Sequence, residues 1–441
     1  MRKRTALLAF VLAGSLLLLP TAGANLSNPT SNDDNSFTSL DDFNLNPSFR
    51  VVTYEITASA FSGTTYLLTL NQNLATDYFV MLRGAAGDYT SGTTRSPDAN
   101  YARIDQDPHG NFTAGTSAVN QLRLARGSST GDWTGQVSVI ECISDCAASG
   151  FALIRVNEIT MTSGQTSASS NKGGSWGGGI GQMGVYGGSY GGGMETSATA
   201  APDHKTGWAR MWPQGGNKVN VSRSNTGPGA LGGTTIFSIY VVKWGTEWTI
   251  QRVNVTGNNG GNGMNATSHY NTASITSVVR ENTWVVAYGE VDHNTLSAGW
   301  EGHVWTLGDG VNVNASETSV AVGAETGAQR DVEVYVHTHP DFGNQYVFGT
   351  DGTAPGIVSG NVSGTVTILR SRSPETHSST NTASRRFILV ANSSNGATTD
   401  YPRPIVWGQL DATTTARWQR SRSGEPGAYW LQIPDFGWIE S

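Results

Sequence analysis

Short apolar runs return along this chain at nearly even intervals, and that rhythm limits the available folds more than any single residue does. Tyr78-Phe-Val-Met-Leu82, Gln136-Val-Ser-Val-Ile140, Phe237-Ser-Ile-Tyr-Val-Val242, Trp284-Val-Val-Ala287, Val332-Glu-Val-Tyr-Val336, Arg386-Phe-Ile-Leu-Val390 and Tyr429-Trp-Leu-Gln-Ile433 are all of strand length. Several alternate polar with apolar residues, the pattern of a strand with one buried face. Taking Tyr240, Val286, Tyr335, Ile388 and Tyr429 from the later runs gives gaps of 46, 49, 53 and 41 residues. A second marker, a strand ending in arginine and small polar residues, recurs at Arg126, Arg223, Arg372 and Arg422, with spacings of 97, 149 and 50. Two markers sharing one period predict a degenerate β repeat of about 50 residues.

Composition agrees with strands and turns rather than helices. Glycine supplies 55 of the 441 residues and charged residues only 14%. Long helices draw on Ala, Leu, Glu and Lys, whereas Gly, Asn and Ser between β-branched runs read as turns. The expected architecture is all-β, with tandem β-sandwich-like modules pairing repeat units into domains of about 100 residues. A β-propeller is the rival, because blades recur at similar length.

The chain opens with Met1-Arg-Lys-Arg4, an apolar run from Ala6 to Leu19, and Ala22-Gly23-Ala24. This order predicts a cleaved secretory signal over residues 1–24 and a secreted or cell-surface protein. Residues 25–48 read as a flexible arm, 49–146 as a β module, and 150–257 as a second with a glycine-rich loop at 171–193. Residues 270–343 and 344–441 read as two more. Loss of Arg2, Lys3 and Arg4 takes the formal charge from −7 to −10, so nucleic acid is not an expected partner. No later apolar run approaches the roughly 20 residues that a membrane-spanning helix needs. Cys142 and Cys146, the only cysteines, are expected to form a local disulfide in an oxidising compartment.

Trp176, Tyr186 and Tyr190 lie in the glycine-rich stretch 171–193, where they suggest either stacking on a sugar or, as the commoner case, a flexible connector. Trp300, Trp305 and Trp407 are carbohydrate-stacking candidates set against an ordinary core role. Arg372 and Arg422 are candidates for anion contact set against turn capping.

Chemistry concentrates in Val334-Tyr-Val-His-Thr-His-Pro-Asp-Phe-Gly343. Residues two apart on a strand share a face, so His337 and His339 would stand side by side with Asp351 following, an outline of metal-ligand chemistry. Over about a dozen residues the segment resembles the His-Ser/Thr-His-Pro element of the JAMM zinc proteases. That resemblance implies a zinc-dependent hydrolase, with Asp351 near the place of the family's aspartate and Phe348 where its serine would stand. Set beside Ala428-Tyr-Trp-Leu-Gln-Ile-Pro-Asp-Phe-Gly437, however, Tyr335 meets Tyr429 and the two Pro-Asp-Phe-Gly endings meet. His337 and His339 then fall opposite Leu431 and Ile433, which predicts histidines of structural origin and no resident metal or other cofactor. Serine is too common for any one to stand out as a nucleophile, and Glu290, Asp292, Glu301 and Asp309 lie among aromatics, where paired carboxylates for glycoside hydrolysis are set against ordinary loop acids. The expected function is therefore a non-catalytic β-repeat protein for surface adhesion, ligand contact or extracellular assembly, with glycans or other extracellular proteins as partners. A secreted metal-dependent hydrolase is the alternative.

Overall fold

The computed structural model describes residues 49–56, 60–86, 102–126, 133–144, 146–170, 179–187, 193–195, 209–215, 217–223, 234–257, 270–279, 282–290, 304–307, 318–324, 330–340, 342–351, 371–376, 389–394, 406–412, 415–420 and 427–436. The expected signal segment and arm lie outside them, as do Trp176, Tyr190, Trp300 and Arg422.

The described chain is all-β, built of small antiparallel sheets that are mostly three-stranded. Helix among the described residues amounts to one turn at Cys146–Ser149 and a 3-10 turn at Ile180–Gln182, so no helix there is long and apolar enough to cross a membrane. Strands β1 (Phe49–Ile56), β2 (Thr65–Thr69), β3 (Tyr78–Ala86), β4 (Ala102–Gln106), β5 (Gln121–Arg126) and β6 (Trp133–Cys142) make a first group. The second comprises β7 (Ala152–Met161), β8 (Ser167–Ser170), β9 (Met183–Gly187), β10 (Gly193–Glu195), β11 (Arg210–Gln214), β12 (Lys218–Ser222) and β13 (Thr235–Lys243). The third holds β14 (Thr249–Gly257), β15 (Tyr270–Ser274), β16 (Thr283–Gly289), β17 (Val304–Leu307), β18 (Ser319–Ala324) and β19 (Arg330–Thr338). The fourth holds β20 (Gly343–Asp351), β21 (Ser371–Thr376), β22 (Leu389–Ser394), β23 (Val406–Ala412), β24 (Thr415–Arg420) and β25 (Gly427–Asp435).

Pairing follows one order throughout. In the first group, one sheet runs β1-β6-β3 and the other β2-β5-β4. The corresponding orders are β14-β19-β16 with β15-β18-β17, and β20-β25-β22 with β21-β24-β23. The second group has β11-β12-β8 and a sheet in which β7, β9 and β10 all pair with β13. The strand 249–257, expected to close the second module, pairs along its length with β19 and so opens the third group.

Each group's second sheet lies against the first sheet of the next group. β4 approaches β10 and β13, β11 approaches β16 and β19, β17 approaches β22 and β25, and β23 returns to β3 and β6. The fourth group therefore meets the first, and the contacts form a closed ring. Burial reflects these layers. On β12, Val219 and Val221 are buried while Lys218, Asn220 and Ser222 are not, the alternation of a one-sided strand. On β19, Val332 to His337 are buried without a break, because the strand is covered on both faces.

Buried arginines brace the crossings between sheets. Arg126 donates through Nε and Nη2 to Gly63 O, at 2.9 and 2.7 Å. Its counterpart Arg223 donates to Gln165 O and Thr162 O, each at 2.7 Å, and to Thr235 Oγ1 at 2.9 Å. Both turns need a left-handed residue and have a glycine there, Gly63 at φ 73° and Gly164 at φ 78°. Turn capping is thus the observed task of these two members of the arginine series; the side chain of Arg372, on β21, is not among those described.

The glycine-rich stretch 171–193 contains a buried strand, β9, where a flexible loop was expected. Gly184 lies under the ring of Tyr186, so close that a Cβ on Gly184 would stand 2.2 Å from Tyr186 Oη. Glycine at 184 makes room for an aromatic ring, a packing role rather than that of a connector.

Arg223→Ala should leave the Thr162 and Gln165 carbonyls and the Thr235 hydroxyl without their buried donor, lowering stability by about 3 kcal/mol. Denaturant unfolding of the variant checks this; a midpoint equal to wild type would contradict the bracing role.

Candidate functional site

The strand register places the two histidines at the centre of the ring. Phe49 pairs with Cys142, Thr249 with Thr338 and Gly343 with Asp435. Stepping one residue outward from the Thr249–Thr338, Gly343–Asp435 and Ala152–Lys243 pairs, and none from Phe49–Cys142, aligns Phe49, Phe151, Trp248 and Phe342, and on the opposite strands Cys142, Trp244, His339 and Phe436. These residues are all buried, and most of their rings meet in an aromatic hub. Centroids lie 4.9 Å apart for Phe49–Phe151, 4.5 Å for Trp244–Trp248, 5.4 Å for Trp248–Phe342 and 5.2 Å for Phe342–Phe436. The Phe49–Phe436 pair, at 5.0 Å, joins the first group to the last. Cys142 holds its place through a disulfide to Cys146.

One rung further in, Phe79 pairs with Ile140, Gly184 with Val242 and Trp284 with His337. The ring of Tyr186 fills the space above Gly184, stacking on Phe79 at 4.3 Å and lying parallel to Trp284 at 6.1 Å. His337 stacks on Trp284 at 4.1 Å. His337 therefore corresponds to Pro434 and His339 to Phe436, three residues from the match that the shared Pro-Asp-Phe-Gly endings suggest. The first such ending is the link from β19 to β20, whereas the second begins inside β25.

Burial and hydrogen bonding together set the state of His337. Trp244 Nε1, which can only donate, lies 2.7 Å from the Tyr186 hydroxyl, and that hydroxyl lies 2.6 Å from His337 Nε2. The tyrosine proton is then available to the imidazole, an arrangement in which Nε2 accepts and neutral His337 carries its proton on Nδ1. Nδ1 makes no well-formed hydrogen bond, although the backbone of Trp284 and Tyr335 is near enough to favour the charged form slightly. Burial dominates and pushes the imidazole down to about 3, while the same burial raises the Tyr186 phenol well above its usual value. Buried and hydrogen-bonded at Nε2, His337 near neutral pH neither gains nor loses a proton.

His339 lies nearer the surface. Its Nε2 is 3.3 Å from Glu247 Oε2, with side-chain exposures of 2% and 72%, and its ring is 5.0 Å from Trp248. Asp351 closes β20 opposite Gly427, and its side chain is not described. Trp305 on β17 and Trp407 on β23 likewise have placed backbones only. Among the described residues, no three His, Cys, Asp or Glu side chains gather as a metal would require.

Other acids serve joints and loops. Glu141 accepts from Arg50 Nε at 2.8 Å and Ala75 N at 2.7 Å, tying the loop after β2 to β6. Asp107 accepts from the Tyr78 hydroxyl and from Asn111 N at 2.9 Å. At the joint of the first and second groups, Arg103 bonds Glu158, and Ser238 Oγ donates to Ile104 O at 2.8 Å. At the next joint, Arg252 lies 3.0 Å from Glu333, Arg210 is more distant at 3.9 Å, and the Tyr335 hydroxyl donates to Met211 O at 2.8 Å. Arg103 and Arg210 occupy matching places, for each pairs with the residue just before a turn-capping arginine. These joint residues were not picked out from the sequence. An Ala-Arg pair, 102–103 and 209–210, was their only shared sign.

The His337 environment sets a pH dependence. Above 6.5, the ordinary imidazole value, folded and unfolded chains both carry a neutral His337. As pH falls from there towards 3, the unfolded chain takes up a proton that the fold refuses. Stability should drop by about 1.4 kcal/mol per pH unit from this residue. His337→Leu should remove that slope while costing about 1–3 kcal/mol at neutral pH, because Tyr186 loses its acceptor. Urea unfolding between neutral pH and about pH 4 reads both effects, and an unchanged slope in the variant would refute the assignment.

No family model matches this chain, and no curated protein matches it.

Proposed function

We propose that this chain is an exported, non-catalytic β-repeat protein serving surface adhesion, ligand contact or extracellular assembly, with glycans or other extracellular proteins as partners. Its groups are then tandem modules, each a small sandwich of two sheets. Strand order returns after 103, 97 and 94 residues, counting from Phe49 to Ala152, Thr249 and Gly343, which favours a six-strand unit. Export rests on the basic and apolar opening of the sequence. The local Cys142–Cys146 disulfide suits an oxidising compartment.

The carrying observation is the fate of His337, the residue best placed by sequence to do chemistry. It is buried, neutral and hydrogen-bonded inside the hub, where it supports packing. Loops on a rigid β scaffold supply contact surface in such proteins.

Two measurements test this. Zinc analysis of the full chain should give substoichiometric metal that does not change in the His337→Leu, His339→Ile double variant. Stoichiometric zinc that disappears in the variant would instead install the hydrolase. An array of glycans and extracellular proteins should yield at least one specific ligand for the intact chain, and silence across the array would count against adhesion and ligand contact.

A further inference from the structure

The ring is sealed by one joint through which no chain runs. Links 143–151, 244–248 and 339–342 connect successive groups, whereas β23 meets β3 and β6 by contact alone, with Phe436 against Phe49 at the hub. The last link is also the shortest, four residues between Thr338 and Gly343. Its tight reversal depends on Asn282, at the mouth of β16. Asn282 Nδ2 donates to Pro340 O at 2.6 Å and to Phe342 O at 3.0 Å, and Asn282 O accepts from His339 N at 3.1 Å. Drawn straight, four residues reach about 13 Å.

We infer that a second copy of this chain is a partner, through exchange of the fourth group (residues 343–436) between two chains, with the 339–342 link as hinge and Asn282 as latch. Exchange rebuilds every contact of the ring, including Phe49–Phe436 and β23 on β3 and β6, from the same residues of another copy. The two forms therefore differ only in the conformation of the link, the three Asn282 hydrogen bonds and the entropy of association. A latch that holds the link folded favours the monomer, and weakening it favours the exchanged dimer. This specifies the partner for the assembly branch of the proposed function and rests on that branch alone. A silent ligand array leaves it standing, and its own failure leaves ligand contact standing.

Full-length wild type and Asn282→Ala are refolded from denaturant over a range of protein concentrations and sized by chromatography with light scattering. The dimer fraction should rise with concentration and be several-fold larger in the variant. An isolated dimer, diluted under native conditions, should persist until the protein is unfolded. Phe49→Cys and Phe436→Cys chains refolded together and treated with a short bis-thiol crosslinker should give a covalent heterodimer. A folded Asn282→Ala chain that stays monomeric at every concentration overturns the inference, as does a dimer that dissociates promptly on dilution. The dilution readout decides the matter even where a hub cysteine prevents folding.

Discussion

Everything in this ring hangs on the aromatic hub. Short antiparallel sheets of this size are marginal alone, because each strand buries one face at most and loses backbone entropy along its length. The hub removes that weakness by bringing the ends of the first sheets to a common centre, where Phe49, Phe151, Trp244, Trp248, Phe342 and Phe436 cover one another. Aromatic pairs in tilted or edge-on contact gain about 0.5–1.5 kcal/mol beyond their burial. Most pairs here are of that kind, such as Phe49–Phe151 at 90° and Phe342–Phe436 at 73°. Because Phe49 and Phe436 lie near opposite ends of the described chain, the hub also closes the ring.

Around that centre, buried polar groups are arranged as braces, and the joints differ in their electrostatics. At the first joint, burial pushes Glu158 up, but hydrogen bonds from Thr113 and the charge of Arg103 outweigh it and hold the carboxyl below its ordinary value. At the second, burial of Glu333 outweighs Arg252 and Arg210 and leaves the carboxyl raised. Acidification therefore erodes the first joint, as Glu158 is protonated more readily in the unfolded chain, and relieves the second, where Glu333 takes up its proton in the fold. The difference lies in the partners. Glu158 accepts from the Thr113 amide and hydroxyl as well as from Arg103, whereas Glu333 has Arg252 at 3.0 Å but Arg210 only at 3.9 Å, stacked on Trp212.

Strand formation was legible because alternation and spacing are local properties. Tyr240, Tyr335 and Tyr429 mark the last strands of their groups and Val286 a third strand, so the spacing of about 50 residues counts two strands of one first sheet in turn. Register was not legible. Identical Pro-Asp-Phe-Gly tetrapeptides sit on opposite sides of a strand pair, Phe342 before β20 and Phe436 after β25, since a hub accepts a phenylalanine from either direction. Glycine was misleading for a similar reason. In 171–193 the composition reads as slack chain, yet Gly184 is bare so that Tyr186 can fold back over it, a tertiary demand with no local signature. The partner of His337 lies 151 residues away, beyond any motif.

A chain of repeated modules is ordinarily expected to gain stability in increments, each unit touching only its neighbours. Closure changes that logic. With β23 returned to β3 and β6, the first and last groups are neighbours too, and Phe436 stacks on Trp244 of the second group as well as touching Phe49 of the first. Removing a terminal group would strip the cover from the hub as well as from one face of the adjoining group, exposing rings that belong to the groups left behind. The same dependence gives His337 its character. A histidine on an isolated strand would meet water on one side and titrate freely, whereas here Trp284 and Tyr186, from two different strands, and Trp244, from the link after β13, enclose it, and it stays neutral only while the ring stays shut.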